Sequence, residues 1–479
     1  MSACEQGTIL AGDASRDGDT ETAADEEAGH DVADEGSETA ADVPDDGCPS
    51  GPSPAHPTWI VDLPVATDGE SAGVGAICAA PDGGVAVVGA VCPTGGPVTC
   101  ATMQAWIVVL AADGTPVVQR RLTGGPDDRA GAVAVTPRSA GGWIIGADGL
   151  GSDGIPREAW LVAIDESGEI LWQWTVPGML FSLEPRAHGT YAACVGRPYL
   201  GADGEPTVLE IDDSGAILRQ TRLAVDGLVV SCAPLADGGL VAVLDAASVD
   251  AAGVRHDKLD LLHVAADGRT AWRREHADWE WSEGDALITS VLVAPADAGA
   301  LIALATRAST TTWELLGAGG DAIRTTVLEA PGGVALDLAG VAVPAGGGLV
   351  LAGDLDFLTG WIAAVGTDGA FIWQRSLDFR PGDYIDTVFA AAPTTDGGIA
   401  FFGTAAFGSE DWVAKFGAGG GFAGTCPALG CPAAALRPGE PLAGELHTEV
   451  LEPGTLSPST SHAAVDDRPV VRVQPLCPE

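Results

Sequence analysis

Ala132-Val-Ala-Val-Thr136, Gly142-Trp-Ile-Ile-Gly146, Trp160-Leu-Val-Ala-Ile164 and Ile170-Leu-Trp-Gln-Trp174 follow one another in a single stretch of chain. Each run is rich in Val, Ile and Trp and is bounded by Gly, Pro or Asp, the punctuation of short strands. None sustains a 3.6-residue period with caps, so helices should be few. The runs, called A, B, C and D in order, read as a four-stranded antiparallel meander. Comparable units make the A–B reversal with Asp82-Gly83-Gly84, Asp237-Gly238-Gly239 and Asp396-Gly397-Gly398. Asp113-Gly114, Asp267-Gly268 and Asp368-Gly369 make the C–D reversal. Reversals this tight need positive φ, which glycine adopts without steric cost. The chain contains no Asn, so Asp-Gly takes the place of Asn-Gly, and no N-glycosylation sequon is possible.

Outward from that unit the C–D turn recurs, with glycines at Gly114, Gly168, Gly215, Gly268, Gly320, Gly369 and Gly420, about 50 residues apart. Trp106, Trp160, Trp361 and Trp412 stand eight residues before four of them, and Trp172, Trp272 and Trp373 four residues after three. A repeat of this length means a stacked or radial array in which each unit needs its neighbours. Each tryptophan can bury about 150–250 Å² between units, roughly 4–6 kcal/mol gross. Packing alone is therefore reason for them to recur.

Counting strands gives D strands near 59–63, 117–122, 170–176, 216–223, 271–276, 323–328 and 371–377, and A strands beginning near 74, 131, 180, 228, 286, 336 and 386. The first D strand has no partners of its own, and the last unit ends at Phe416 without a D strand. The economical expectation is a seven-bladed β-propeller closed by residues 57–63 beside 411–416. A–B and C–D turns would share one plain face. The B–C and D–A loops, which vary in length and composition, would share the other, where binding is expected.

Composition narrows the partners. With 23 basic against 67 acidic residues in 479, the net charge is −44, which excludes nucleic acid and anionic membrane surfaces as electrostatic partners. No apolar segment is long enough to span a bilayer as a helix. Residues 1–56 are acidic and poor in large apolar side chains, and read as a disordered spacer. Met1-Ser2-Ala3-Cys4 ends like a bacterial lipobox, which makes Cys4 the candidate for lipid attachment, in a cell-envelope or extracellular setting. Ten cysteines without a Cys-x-x-Cys or a histidine pattern argue for disulfides over zinc. The candidates are Cys92 with Cys100, and Cys426, Cys431 and Cys477 in an irregular extension, 421–479, that follows the propeller at 57–420. A Cys92–Cys100 bond would contribute roughly 2.5 kcal/mol by loop entropy. Asp13-x-Ser15-x-Asp17-Gly18-Asp19 opens like a calcium loop, but its twelfth position is Ala24, so no metal is expected.

Ala163-Ile-Asp-Glu-Ser-Gly-Glu-Ile-Leu-Trp172 and Gly366-Thr-Asp-Gly-Ala-Phe-Ile-Trp373 resemble the Asp-Gly-x-x-x-Trp repeats of quinoprotein-like propellers. With the acidic spacer, the whole resembles predicted surface lipoproteins with seven-bladed propeller repeats from GC-rich Gram-negative bacteria. That resemblance implies the propeller and an envelope location and assigns no activity.

Function is expected to be that of a surface-anchored or secreted non-enzymatic binding or adhesion scaffold. The alternatives are a quinoprotein-like oxidoreductase or glycan-active enzyme with an axial site, or a structural part of an envelope complex. Gly69-Glu-Ser-Ala-Gly73 matches a nucleophile elbow, but that motif works only on a strand-to-helix turn, so no catalytic residue and no cofactor are assigned. The best binding candidate is the D–A connection His276-Ala-Asp-Trp-Glu-Trp-Ser-Glu-Gly-Asp285. There Trp279 and Trp281 interrupt the repeat among Asp278, Glu280 and Glu283, and aromatics beside acids suit a carbohydrate or a cationic protein ligand. Tyr384 is a weaker second. The chain is expected to be a monomer.

Overall fold

The computed structural model describes residues 4–6 and 57–420, with breaks at 64–70, 93–101, 124–128, 152–155, 197–205, 224–227, 236, 250–254, 283–287, 296–300, 308–309, 318, 321, 330–335, 345–347, 356–358, 367–370, 378–386 and 406–409. It also describes 429–430, 435–438, 464–466 and 474–475. The fold is all-β and propeller-like, with several four-stranded antiparallel sheets and others enlarged to five or six strands. In the second unit, Ala130–Pro137, Trp143–Leu150, Pro156–Ile164 and Ile170–Pro177 pair in that order. The third unit repeats the pattern with Met179–Pro185, Thr190–Gly196, Thr207–Asp212 and Ile217–Arg222. In the first unit Ser71–Ala79 stands as A and Pro116–Thr123 as D. Trp59–Asp62 pairs antiparallel with Glu410–Phe416, Trp59 opposite Lys415 and Asp62 opposite Trp412.

The glycine turns form as their chemistry requires. Gly83, Gly114, Gly238 and Gly397 take φ of 83–88°, and the aspartate before each accepts the amide that follows, as in Thr115 N to Asp113 Oδ1 at 3.0 Å. Hydroxyl and amide donors from Thr115 hold the Asp113 carboxyl below its usual range.

The tryptophan spacings separate into two packing roles. Trp106, Trp160, Trp361 and Trp412 lie on C strands, essentially fully buried, opposite Gly89, Ala147, Gly353 and Gly403 on the B strands. A Cβ at Gly89 would stand 2.7 Å from the Trp106 ring, so the small partner makes the room. Trp172, Trp272 and Trp373 instead reach across to the next unit and cover its turn glycine. A Cβ at Gly215 or Gly320 would lie 2.8 or 2.7 Å from the indole above it. Trp172 and Trp373 also donate indole N–H to Asp213 O (2.9 Å) and Ala418 O (3.0 Å). Trp59 does the same over Gly114, donating to Ala112 O at 3.0 Å. Arg219 occupies the equivalent D-strand place and Arg120 stands two residues beyond it; they bind the next turns through Ala266 O and Ser167 O.

First strands of successive units pack side by side, and Thr387–Pro393 packs against Ser71–Ala79. Each first strand carries a β-bulge near its start, such as those at Leu180/Ser182 and Val388/Ala390. Two buried acids tie that bulge to the preceding unit: Asp148 Oδ1 accepts the Leu180 amide at 2.8 Å and Asp354 Oδ1 the Val388 amide at 3.1 Å. Residues beyond 420 add short strands to the outer edges of D strands. Leu429–Gly430 joins Phe371–Leu377, Ala435–Pro438 joins Ala322–Glu329, Ala464–Asp466 joins Pro116–Thr123, and Gln474–Pro475 joins Trp59–Asp62. Such additions cover edges that would otherwise offer unpaired backbone.

Candidate functional site

The fourth unit departs from the others. Its strands Leu240–Val249, Arg255–Val264 and Thr270–Ser282 run 10, 10 and 13 residues, against 8–9 for B, C and D in the second unit. The excess lies at the B–C end, where Val249 stands opposite Arg255. Trp279 and Trp281 therefore sit in a strand, which corrects the loop expected from the sequence. The cause is the long B–C hairpin, which supplies a partner for residues that would otherwise leave the sheet. The register is broken there: Asp257 pairs with Trp281 and Leu259 with His276, so 277–280 lie against Lys258 alone. Trp279 is thus placed in a bulge and Trp281 opposite an acid, on the end of the sheet that carries the variable connections. Glu283 and Tyr384 lie outside the described residues.

The turn face is less plain than its glycines suggest. At the seam between second and third units, Tyr191 donates its hydroxyl to Asp213 Oδ1 (2.6 Å) and accepts the Ser139 amide (2.8 Å). Ser139 Oγ donates to Asp213 Oδ2, and Arg138 Nη2 donates to Asp213 O at 3.2 Å. Burial and the Asp213 carboxylate push the Tyr191 hydroxyl up to about 12, so it stays a donor at neutral pH and cannot serve as a base. With both Asp213 oxygens occupied, the cluster clamps the seam. Beside it, His188 is exposed and holds φ 62°, the one positive-φ non-glycine residue among those described. It lies in the third A–B turn, where Gly189 (φ 69°) holds the place of Gly83, Gly141, Gly238 and Gly397, and it stands where those turns carry Asp82, Ala140, Asp237 and Asp396. That substitution was the available sequence signal for this corner.

The disulfides also differ from the expected set. Cys194 on Thr190–Gly196 bonds Cys232 on Leu228–Pro234, with Cα atoms 6.5 Å apart, joining the third unit to the fourth. Neither cysteine stood among the candidates, because their nearness depends on which strands of different units pack. Cys92 is disulfide-bonded, as is Cys78, and no described cysteine is free. Cys100, Cys426, Cys431 and Cys477 lie outside the described residues. Cys4 lies on the short strand Cys4–Gln6, paired antiparallel with Ser71–Ala79. Ser71 opens that strand, not a helix, so the elbow-like motif lacks its required turn. Among the described residues no His, Cys, Asp or Glu group has metal-binding geometry.

No family model matches the chain, and no curated protein does. Similar solved structures include a protein of unknown function from Bacteroides caccae, 15% identical over 56% of this chain and 89% of that one, at a TM-score of 0.35. The Pan2 WD40 domain of Neurospora crassa is 9% identical over 60% and 89%, at 0.33. The NanB sialidase of Streptococcus pneumoniae is 8% identical over 78% and 70%, at 0.38. At these scores the likenesses decide nothing about activity.

Proposed function

We propose that the chain is a seven-bladed propeller closed by Trp59–Asp62, acting outside the cytoplasm as a non-enzymatic binding scaffold. Support for closure comes from the seam between the last unit and the first. Trp59 covers Gly114, and Lys415, fully buried, donates to Gly83 O (2.7 Å), Ala112 O (3.3 Å) and Asp396 Oδ2 (2.7 Å). Thr395 Oγ1 adds a bond to Ala80 O at 3.2 Å. An oxidising compartment is supported by the Cys194–Cys232 bond. Delivery there would be as a lipid-anchored protein, through Cys4, or as a soluble secreted one.

The observation that carries the binding reading is the overgrown hairpin of the fourth unit. Three strands longer than those of the second unit carry Trp279 and Trp281 in one sheet with Asp257, opposite Trp281, at the variable end. A carbohydrate would stack on such aromatics while acids take its hydroxyls, and a cationic protein surface would use the same pair. The purified full chain should be screened against glycans and envelope proteins, then rescreened with Trp279→Ala and Trp281→Ala combined. Binding should fall at least tenfold while stability changes by no more than about 0.5 kcal/mol, as for exposed positions. A loss of several kcal/mol would identify the pair as packing residues and move the site elsewhere.

A further inference from the structure

We infer that Cys4 forms a disulfide with Cys78 and so staples the N-terminus of the chain among the first strands of the sheets, with its sulfur unavailable to lipid. The register carries the inference. Cys4 pairs with Cys78, Glu5 with Ile77 and Gln6 with Ala76. Residues directly opposite in an antiparallel pair have Cα atoms roughly 4.5–5.5 Å apart, inside the roughly 4.4–6.8 Å that a disulfide spans.

Cys78 is fully buried and disulfide-bonded. Cys92 cannot be its partner. It pairs with Ser71, seven residues along the same strand from Cys78, about 23 Å at 3.3 Å per residue. Cys194 and Cys232 are bonded to each other. Of the cysteines whose backbone is described, Cys4 alone is within reach.

The place matters as much as the bond. Besides pairing with Ser71–Ala79, the strand Cys4–Gln6 packs against Ala130–Pro137, Leu336–Ala342 and Thr387–Pro393, the first strands of three other units. In a propeller those strands line the central axis, so the occupant of the axial channel is the chain's own N-terminus. The staple rests on that closed-ring reading only for the word axial; the bond rests on the register. It also decides between the two modes of delivery. One sulfur cannot hold both a thioether to lipid and a disulfide, so the stapled protein is the soluble secreted form. A dithiol reductant would open the staple, its own two thiols leaving as a cyclic disulfide while Cys4 and Cys78 take up the two protons.

The test uses the full chain, purified without reductant and capped with N-ethylmaleimide. Cleavage before aspartates releases residues 1–12, holding Cys4 alone, and 68–81, holding Cys78 alone. Mass spectrometry should find these two peptides joined, and separated by reductant. Cys4 recovered capped or acylated, or 68–81 joined to any other peptide, overturns the staple and leaves the binding scaffold untouched. Hydrogen exchange on a Cys4→Ser chain supplies the second reading, since that change spares the buried Cys78 site. Amides of Ser71–Ala79 facing the staple should exchange at least tenfold faster than in the parent. Unchanged exchange would mean the pairing does not persist in solution, which also overturns the proposal.

Discussion

Replacing Asp148 with Asn should flatten the pH dependence of stability above pH 5. Asp148 is 4% exposed, and its one described partner is the Leu180 amide. Burial pushes its carboxyl up to about 7 from 3.8, against the pull of that amide. A folded-state value above the unfolded one makes a contribution fully present below pH 3.8 and lost as pH climbs through 7. A shift of about 3 units corresponds to roughly 4 kcal/mol in all. By the same linkage about 2.5 kcal/mol of it disappears between pH 5 and pH 8. An unfolding entropy of about 2.1 cal/mol/K per residue over residues 59–420 converts that to roughly 3 °C.

Asparagine keeps an oxygen for the Leu180 amide and cannot ionise, so any fixed cost of its NH2 group is the same at every pH. Glu184, whose carboxyl burial also pushes well up, is common to both chains and cancels in the difference. Calorimetric melting of both at pH 5, 6, 7 and 8 should therefore show the Asp148→Asn chain gaining about 3 °C on the parent across the range. Parallel curves would refute the reasoning, and would mean that water or a movement of the Leu180 bulge solvates the Asp148 carboxylate.

Three further outcomes follow from the seams and turns. Lys415→Ala takes the buried ammonium away from the Asp396 carboxylate and the Gly83 carbonyl, which should cost about 3–5 kcal/mol in denaturant titration at pH 7. Lys415 and Thr394 outweigh burial and hold the Asp396 carboxyl below its usual range, so this difference should persist above pH 4 and shrink below pH 3.8. His188→Gly should raise stability by about 0.5–1 kcal/mol, because glycine holds φ near 62° without strain; a lower melting temperature would show that the imidazole has a structural partner. A chain beginning at Ser71 should melt many degrees below one beginning at Pro52, since burying Trp59, Ile60, Val61 and Leu63 contributes about 1.5–3 kcal/mol each. Equal melting would refute closure by the N-terminal strand.

What could be read in advance was whatever the backbone demands locally. Gly114, Gly168 and Gly215 must hold positive φ and can be recognised one turn at a time, which is why the strand positions in the sequence match those in the structure so closely. The tryptophans were legible as packing residues but not as two kinds. Whether a ring lies over a glycine of its own sheet, as Trp106 does, or of the next, as Trp172 does, depends on how sheets face one another. The same gap hid the Cys194–Cys232 bond, the Tyr191–Asp213–Ser139 clamp and the Asp148–Leu180 tie, each of which joins residues of different units. The fourth unit shows the limit from the other side. Trp279 and Trp281 were conspicuous because they broke the repeat, yet spacing alone could not say that Leu240–Val249 and Arg255–Val264 were long enough to carry them as strand. Departure from a repeat draws attention to a position; the partner strands decide what shape that departure takes. A test of the fourth-unit hairpin should therefore alter its length as well as its aromatics. Shortening all three strands together to the lengths of the second unit should abolish binding while leaving every seam between units intact.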